Sequence, residues 1–193
     1  GLIKFYKAAQ GSGVKPILGA DVLVSSLSEG TPTQLVLLAA DDKGYRNLTQ
    51  LISRAYLEGQ RQAIPVIEHS WLTVHSEGLI ALSGGRLGEI GIALVSGREA
   101  EAKAALVKMM SIFPNRFYLE LQRTSRSDED DYIHSAVSLA QQCDCPVVAT
   151  NDVRFIKSSE FEAHEARVCI YEGRALDDPR RERRYSETQY LKS

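Results

Sequence analysis

Leu2, Phe5, Tyr6 and Ala9 fall on one stripe of a 3.6-residue period, and the run stops at Gly11-Ser12-Gly13, a composition that ends helices. A first helix is expected there. Residues 15–24, KPILGADVLV, alternate and are rich in branched side chains, residues 25–33 are polar and turn-like, and residues 34–40, QLVLLAA, form a second short apolar run. The pattern predicts two neighbouring strands. From Asp41 the period is helical again, with Leu48, Leu51, Ile52, Ala55 and Tyr56 on one stripe and two aspartates at the start, where carboxylates suit the helix dipole.

The alternation continues. GLIALSG at 78–84 predicts a strand, 86–97 and 98–113 predict two helices divided at Gly97, and RFYLELQ at 116–122 returns to strand. Residues 127–143 open on acidic side chains and carry Ile133, Ala136, Val137 and Ala140 on one side, so a helix packed on the sheet is expected, followed by a buried strand in CPVVAT at 145–150. Strand and helix taking turns imply crossover connections and a largely parallel sheet, hence an α/β fold, barrel or open. Residues 158–173 read as a last helix with Ser158 or Ser159 as its N-cap. The polar, arginine-rich stretch beyond it reads as the way out of the domain.

The totals change this picture little. With 193 residues, 44% of them apolar and 25% charged, the chain suits one soluble globular domain or two small ones. Its 23 Lys plus Arg against 25 Asp plus Glu leave a formal charge of −2, so no global basic field points to nucleic acid. No run approaches the ~20 apolar residues needed to cross a bilayer, and a cytoplasmic protein with no membrane partner is expected. Cys143, Cys145 and Cys169 are an odd set, and the Cys143–Cys145 spacing is too tight for a zinc site, so reduced structural thiols are expected. Gly1 opens inside a helix pattern, which reads as a fragment of something longer.

Candidate chemistry is sparse. SGGRLGEIG at 83–91 follows a strand and opens a helix, a context that can hold an anion, yet it has neither the dinucleotide nor the Walker spacing and reads mainly as a tight turn. PRRERR at 179–184 can grip phosphate or simply face solvent. His69, His75, His134 and His164 have no partner at metal-ligand spacing. Glu120 lies with Tyr118 and Gln122 on the polar face of its strand, where it either lines a cleft or bonds to neighbouring strands. Asp152 and Arg154 stand two apart just where an apolar strand runs out, the edge at which α/β folds place their chemistry.

Taken in order, KPILGAD, LVLLAADDKGYRNLTQLIS, EGLIALSGG, YLELQR and PVVATNDVRFI make the chain resemble the PHP domain of bacterial DNA polymerase III alpha subunits over nearly its whole length. The resemblance implies a distorted seven-stranded (β/α) barrel lacking its first β/α elements here, with a partial PHP domain over 1–175 and an exit segment toward the polymerase core over 176–193. Metal-binding relatives hold divalent ions at the strand ends with carboxylates and imidazoles. The corresponding positions in this chain are Asp21 for a Glu, Gln34 for a His, Gly85 for a Cys or His, Asp152 for the ligand Asp, and Arg154 for the final His. A guanidinium has no lone pair and keeps its charge. About 4 Å from a divalent ion, at an effective dielectric near 20, it would repel by roughly 8 kcal/mol. The resemblance therefore implies a vestigial pocket in which Arg154 supplies the positive charge, pairing with Asp152 and Asp21.

What the resemblance implies for function is a non-catalytic scaffold in a replicative DNA polymerase. The parent chain would carry out nucleotidyl transfer in DNA replication, with magnesium at a palm site outside this segment and no cofactor in this domain. The implied partners are the rest of the alpha subunit, the proofreading exonuclease subunit, and DNA through the parent chain. The rival readings are a metal-dependent phosphoesterase, acting as exonuclease or pyrophosphatase, and an unrelated phosphate-binding α/β enzyme using SGGRLG.

Overall fold

The computed structural model describes residues 1–26, 30–125 and 129–192. Its first helix, α1 (Leu2–Gly11), buries none of its residues and ends near Gly13, which takes the left-handed conformation (φ 69°) that the GSG composition provides. Strands β1 (Gly19–Val24) and β2 (Thr33–Ala39) follow as the expected neighbours and pair antiparallel, Gly19 opposite Leu38 and Val24 opposite Thr33. Only residues 25–32 separate them, fewer than the dozen or more that a parallel crossover needs.

Helix α2 (Asp42–Leu57) begins where the Asp41 side chain accepts the Gly44 N–H at 2.8 Å, and it presents Leu48, Leu51 and Ala55 to the sheet. A small hairpin of β3 (Gln60–Arg61) and β4 (Ile64–Pro65) and a short helix α3 (His69–His75) fill the stretch before β5 (Leu79–Leu82). The hydrophobic period gives little warning of these three, which are too short to show one. Then come α4 (Glu89–Val95), α5 (Glu99–Ile112), β6 (Phe117–Gln122), α6 (Glu129–Cys143), β7 (Val147–Thr150) and α7 (Phe161–Glu172). The predicted beginning of α6, Ser127 and Asp128, lies outside the described residues. Neither Ser158 nor Ser159 caps α7: both belong to a 3-10 turn, Ser158–Glu160, that runs into it, and Glu160 is the residue preceding the helix.

Five strands make one sheet in the order β1-β2-β5-β6-β7. The expected largely parallel sheet is corrected to a mixed one: β1–β2 and β2–β5 are antiparallel, β5–β6 and β6–β7 parallel. The parallel half is the part in which helices alone connect successive strands, α4 and α5 between β5 and β6, α6 between β6 and β7. Among the described residues the seven-stranded barrel implied by the resemblance is not formed. β1 and β7 are the two edges of the sheet, while β3 and β4 pair with each other instead of bridging them.

The core lies where α2 to α6 cover the sheet. Leu35, Leu37, Leu79, Ala81, Phe117 and Leu119 from the strands meet Leu51, Leu72, Ile90, Leu106, Phe113, Tyr132 and Ala136 from the helices and their ends. Each large apolar side chain buried this way contributes roughly 1.5–3 kcal/mol. Packing thus fixes β5, β6 and β7 side by side, with their C-terminal ends aligned. Cys143, Cys145 and Cys169 are free thiols, and burial pushes the Cys145 thiol up from its ordinary pKa.

Candidate functional site

At the ends of β6 and β7 the chain places Glu120, Gln122, Thr150 and Asp152 in succession. Glu120 is buried, with Oε1 accepting from Gln122 Nε2 at 3.1 Å and from Thr150 Oγ1 at 2.5 Å. Its backbone N–H donates to Ser83 Oγ and its carbonyl accepts from Tyr132 Oη at 2.7 Å. Burial pushes the Tyr132 phenol up to about 12. Of the two roles open to Glu120, the bonding one is seen: it ties β6 to β5, β7 and α6. Its other oxygen, Oε2, is buried with no hydrogen-bond partner among the described residues.

The turn after β5 closes the neighbouring corner. Gly84 (φ 76°) lies so close to Gln34 that a Cβ would stand 2.4 Å from the Gln34 carbonyl oxygen, and Gly85 (φ 56°) faces the side-chain oxygen of Gln122. The SGGR glycines therefore serve a tight strand-to-helix turn in left-handed backbone. Arginines of PRRERR are engaged by carboxylates: Arg180 with Asp178 at 3.1 Å, Arg184 with Glu182 at 3.3 Å, and Arg181 with Glu165 in a pair whose side chains are both buried.

Past Thr150 the strand has ended, yet Asp152 and Arg154 still meet, Arg154 Nη2 lying 2.7 Å from Asp152 Oδ1. The second carboxylate oxygen accepts from Gln189 Nε2 at 2.8 Å, and the same amide also donates to the Asp152 carbonyl at 3.1 Å. Gln189, fully buried, was not singled out from the sequence, where it is one polar residue in a polar tail. It arrives because residues 186–191 of the stretch 176–192 lie across the strand ends. Asn151 Nδ2 donates to the Tyr190 carbonyl at 2.8 Å, Arg154 N–H to the Gln189 carbonyl at 2.8 Å, and Leu191 N–H to the Phe155 carbonyl at 3.0 Å. Phe155 and Tyr190 form a parallel bridge.

Arg154 also lies over the Tyr185 ring at 5.3 Å, and Tyr185 packs edge-on against His164, whose other neighbour is Phe155. Burial first, then Arg167 and Arg154, hold His164 below its ordinary pKa. A solvent-open cavity of about 680 Å³ remains outside this plug, lined by Arg86, Asp152, Arg154, Arg183, Arg184 and Tyr185 among others.

The other positions are not gathered here. Asp21 is exposed on β1, at the opposite edge of the sheet from β7, with three strands between, so the expected Arg154–Asp21 pairing is corrected: Arg154 pairs with Asp152. Gln34 is half-buried on β2, with its carbonyl against Gly84. Among the described residues no three His, Cys, Asp or Glu side chains are grouped to hold a metal ion. His69 Nε2 lies 3.6 Å from Glu89, on the α3–α4 side.

A family model described as the PHP domain matches residues 1–124. The chain belongs to the PHP domain family. Over all of its 193 residues this PHP chain is 58% identical to DNA polymerase III subunit alpha of Pseudomonas aeruginosa, and over 194 aligned positions 52% identical to those of Vibrio cholerae and Escherichia coli. It spans only 16% of the first relative and 17% of the other two. No helix among the described residues is long and apolar enough to cross a membrane.

As a PHP domain it would be asked to hold divalent ions at these strand ends, and its residues do not fit them. Asp152 has each oxygen engaged by a donor, one of them a permanent cation, and Gly85 offers no side chain. A metal at Asp152 would have to displace Gln189 and approach Arg154, and no step of chemistry is derived through one.

Proposed function

We propose that this PHP domain is a non-catalytic scaffold within a replicative DNA polymerase. Its parent chain extends DNA elsewhere, and the domain supports the polymerase core and docks the proofreading exonuclease subunit. One observation carries the non-catalytic part: the Asp152 carboxylate is closed on both oxygens by Arg154 and Gln189, side chains of the same chain. The polymerase part rests on the similarity to the alpha subunits, and exonuclease docking on the family resemblance.

A working phosphoesterase needs lone-pair donors around its ions and a path for a phosphate to reach them. At this site a guanidinium and an amide stand in those places. Their role is structural: Arg154 neutralises Asp152 without a metal, and Gln189 donates to its other oxygen.

The test has two arms. Full-length protein is purified without chelator and its zinc, manganese and iron content measured, then assayed for phosphodiester hydrolysis with added manganese, using a variant disabled at the polymerase centre. Substoichiometric metal and no hydrolysis are expected; one or more ions per chain with hydrolysis abolished by Asp152→Asn would establish the phosphoesterase instead. Binding of the exonuclease subunit to the full-length chain is expected, and to be lost when this domain is deleted from a chain that still polymerises. Retention of binding after the deletion would remove the docking role.

A further inference from the structure

We propose that residues 174–192 are a latch, and that the buried Arg181–Glu165 pair at one end of it controls whether the strand-end site at the other end is closed. The segment leaves α7 through Gly173 in the left-handed conformation (φ 65°), with the Arg174 N–H returning to the Cys169 carbonyl at 2.9 Å. It is then attached at Arg181 and again over residues 185–191. Arg181 reaches Glu165 on α7, both side chains about 94% buried by their 6% exposures. Tyr185 is held between Arg154 and His164. The Ser186 hydroxyl donates to the Thr124 carbonyl after β6, and Gln189 inserts against Asp152. Between these anchors Glu182, Arg183, Arg184 and Glu187 face solvent.

Such spacing makes the anchors interdependent. An extended segment with solvated residues between its attachments gains no continuous apolar burial, so its closure depends on the anchors acting together. Two of them, Arg181 and Gln189, are buried polar side chains whose partners Glu165 and Asp152 lie outside the latch. If Arg181 leaves, Glu165 is a buried carboxylate without its guanidinium, and the cost of that charge falls on the closed state. If Gln189 leaves, Asp152 loses the amide from its second oxygen while its pair with Arg154 stays. Neither anchor touches the other. Residues 182–188 join them along the chain, so a change at Arg181 reaches Asp152 along the latch, beside the side-chain route from Glu165 through His164 to Phe155 and Tyr185.

The consequence is that the position of residues 174–192 and the state of the strand-end site are one variable. A displacement of residues 190–192 is carried to Gln189, and through it to Asp152 and Arg154. The proposal rests on the closed-site reading above, and it adds a moving part that the scaffold reading does not require.

Hydrogen exchange on the full-length chain tests it, comparing Arg181→Met with the unaltered protein. The amides of Arg154 and Leu191, which bond across from site to latch, are expected to exchange at least about tenfold faster, and by the same factor, while those of Leu35 and Leu37 keep their protection. Faster exchange near residue 181 with Arg154 and Leu191 unchanged would overturn the latch. So would no change anywhere in a folded variant. Should Arg181→Met not fold, Arg181→Lys, which keeps the charge and loses the planar fork, is expected to give a smaller shift with the same equality. Metal analysis of the same samples separates the two readings: bound metal with coupled exchange removes the closed site and leaves the latch, and no metal with uncoupled exchange removes the latch alone.

Discussion

Replacing Gln189 with Ala removes one side chain and three hydrogen bonds. Nε2 loses the Asp152 carboxylate and the Asp152 carbonyl, and Oε1 loses the Ser186 N–H at 2.9 Å. A bond to a charged group contributes about 1.5–3 kcal/mol and each of the others about 0.5–1.5, an upper sum of about 6. The Asp152 side chain keeps 20% of its surface exposed, so water replaces part of what is lost. The expected destabilisation is therefore about 2–3 kcal/mol. For a domain of this size each kcal/mol moves the midpoint by about 2–4 °C, giving a fall of about 4–12 °C in the transition of this domain. Differential scanning calorimetry of the full-length chain, with and without the substitution, reads it. Gln189→Glu sets a second carboxylate against Asp152 and should fall further at neutral pH. A loss under about 1 kcal/mol for the Ala variant would mean that Gln189 is not a buried partner of Asp152 in solution, and the closed-site reasoning would go with it.

Three further outcomes are expected. Gly85→Ala puts a Cβ on left-handed backbone and 3.4 Å from the Gln122 side-chain oxygen, and should cost about 1–2 kcal/mol in chemical denaturation. Tyr132→Phe keeps the ring in the core and deprives the Glu120 carbonyl of its donor, a loss of about 1–2 kcal/mol in the same experiment; in the unaltered protein a phenol pushed up to about 12 should be missing from the spectrophotometric titration at pH 10–11. His164 has a folded-state pKa below its unfolded value, so the unfolded chain binds the extra proton, and stability is lost as pH falls through the ordinary range near 6.5 toward the lower folded value. Midpoints measured from pH 8 to pH 5 should show that decline, and His164→Leu should flatten it; an unchanged slope would place the titration elsewhere.

Much of the framework was legible before any coordinates. Helical periods marked α1, α2 and the α4–α5 pair, and short branched runs marked the five strands of the sheet, because burial on one face imposes those periods on the sequence. The sheet's direction was less legible. Alternating elements argued for parallel strands, and it was the brevity of residues 25–32 that turned β1 and β2 into a hairpin. Hairpin β3–β4 and helix α3 left almost no periodic trace.

At the site, the sequence determined the chemistry that is possible. Arg154 is a cation at any working pH and Gly85 has no donor, whatever the fold. It also put Asp152 and Arg154 within reach, since two residues of chain cannot separate them by much. Only tertiary structure decided what surrounds them. Asp21 and Asp152 stand on opposite edges of one sheet because strand order, which no local pattern encodes, separates them by three strands. Gln189 and Arg181 lie in a stretch whose composition reads as solvated tail, and they become buried because partners just past β7 and on α7 accept their hydrogen bonds and charge. A polar residue carries no sign in its own sequence neighbourhood of whether water or another part of the chain will satisfy it; that depends on packing that brings the partner across.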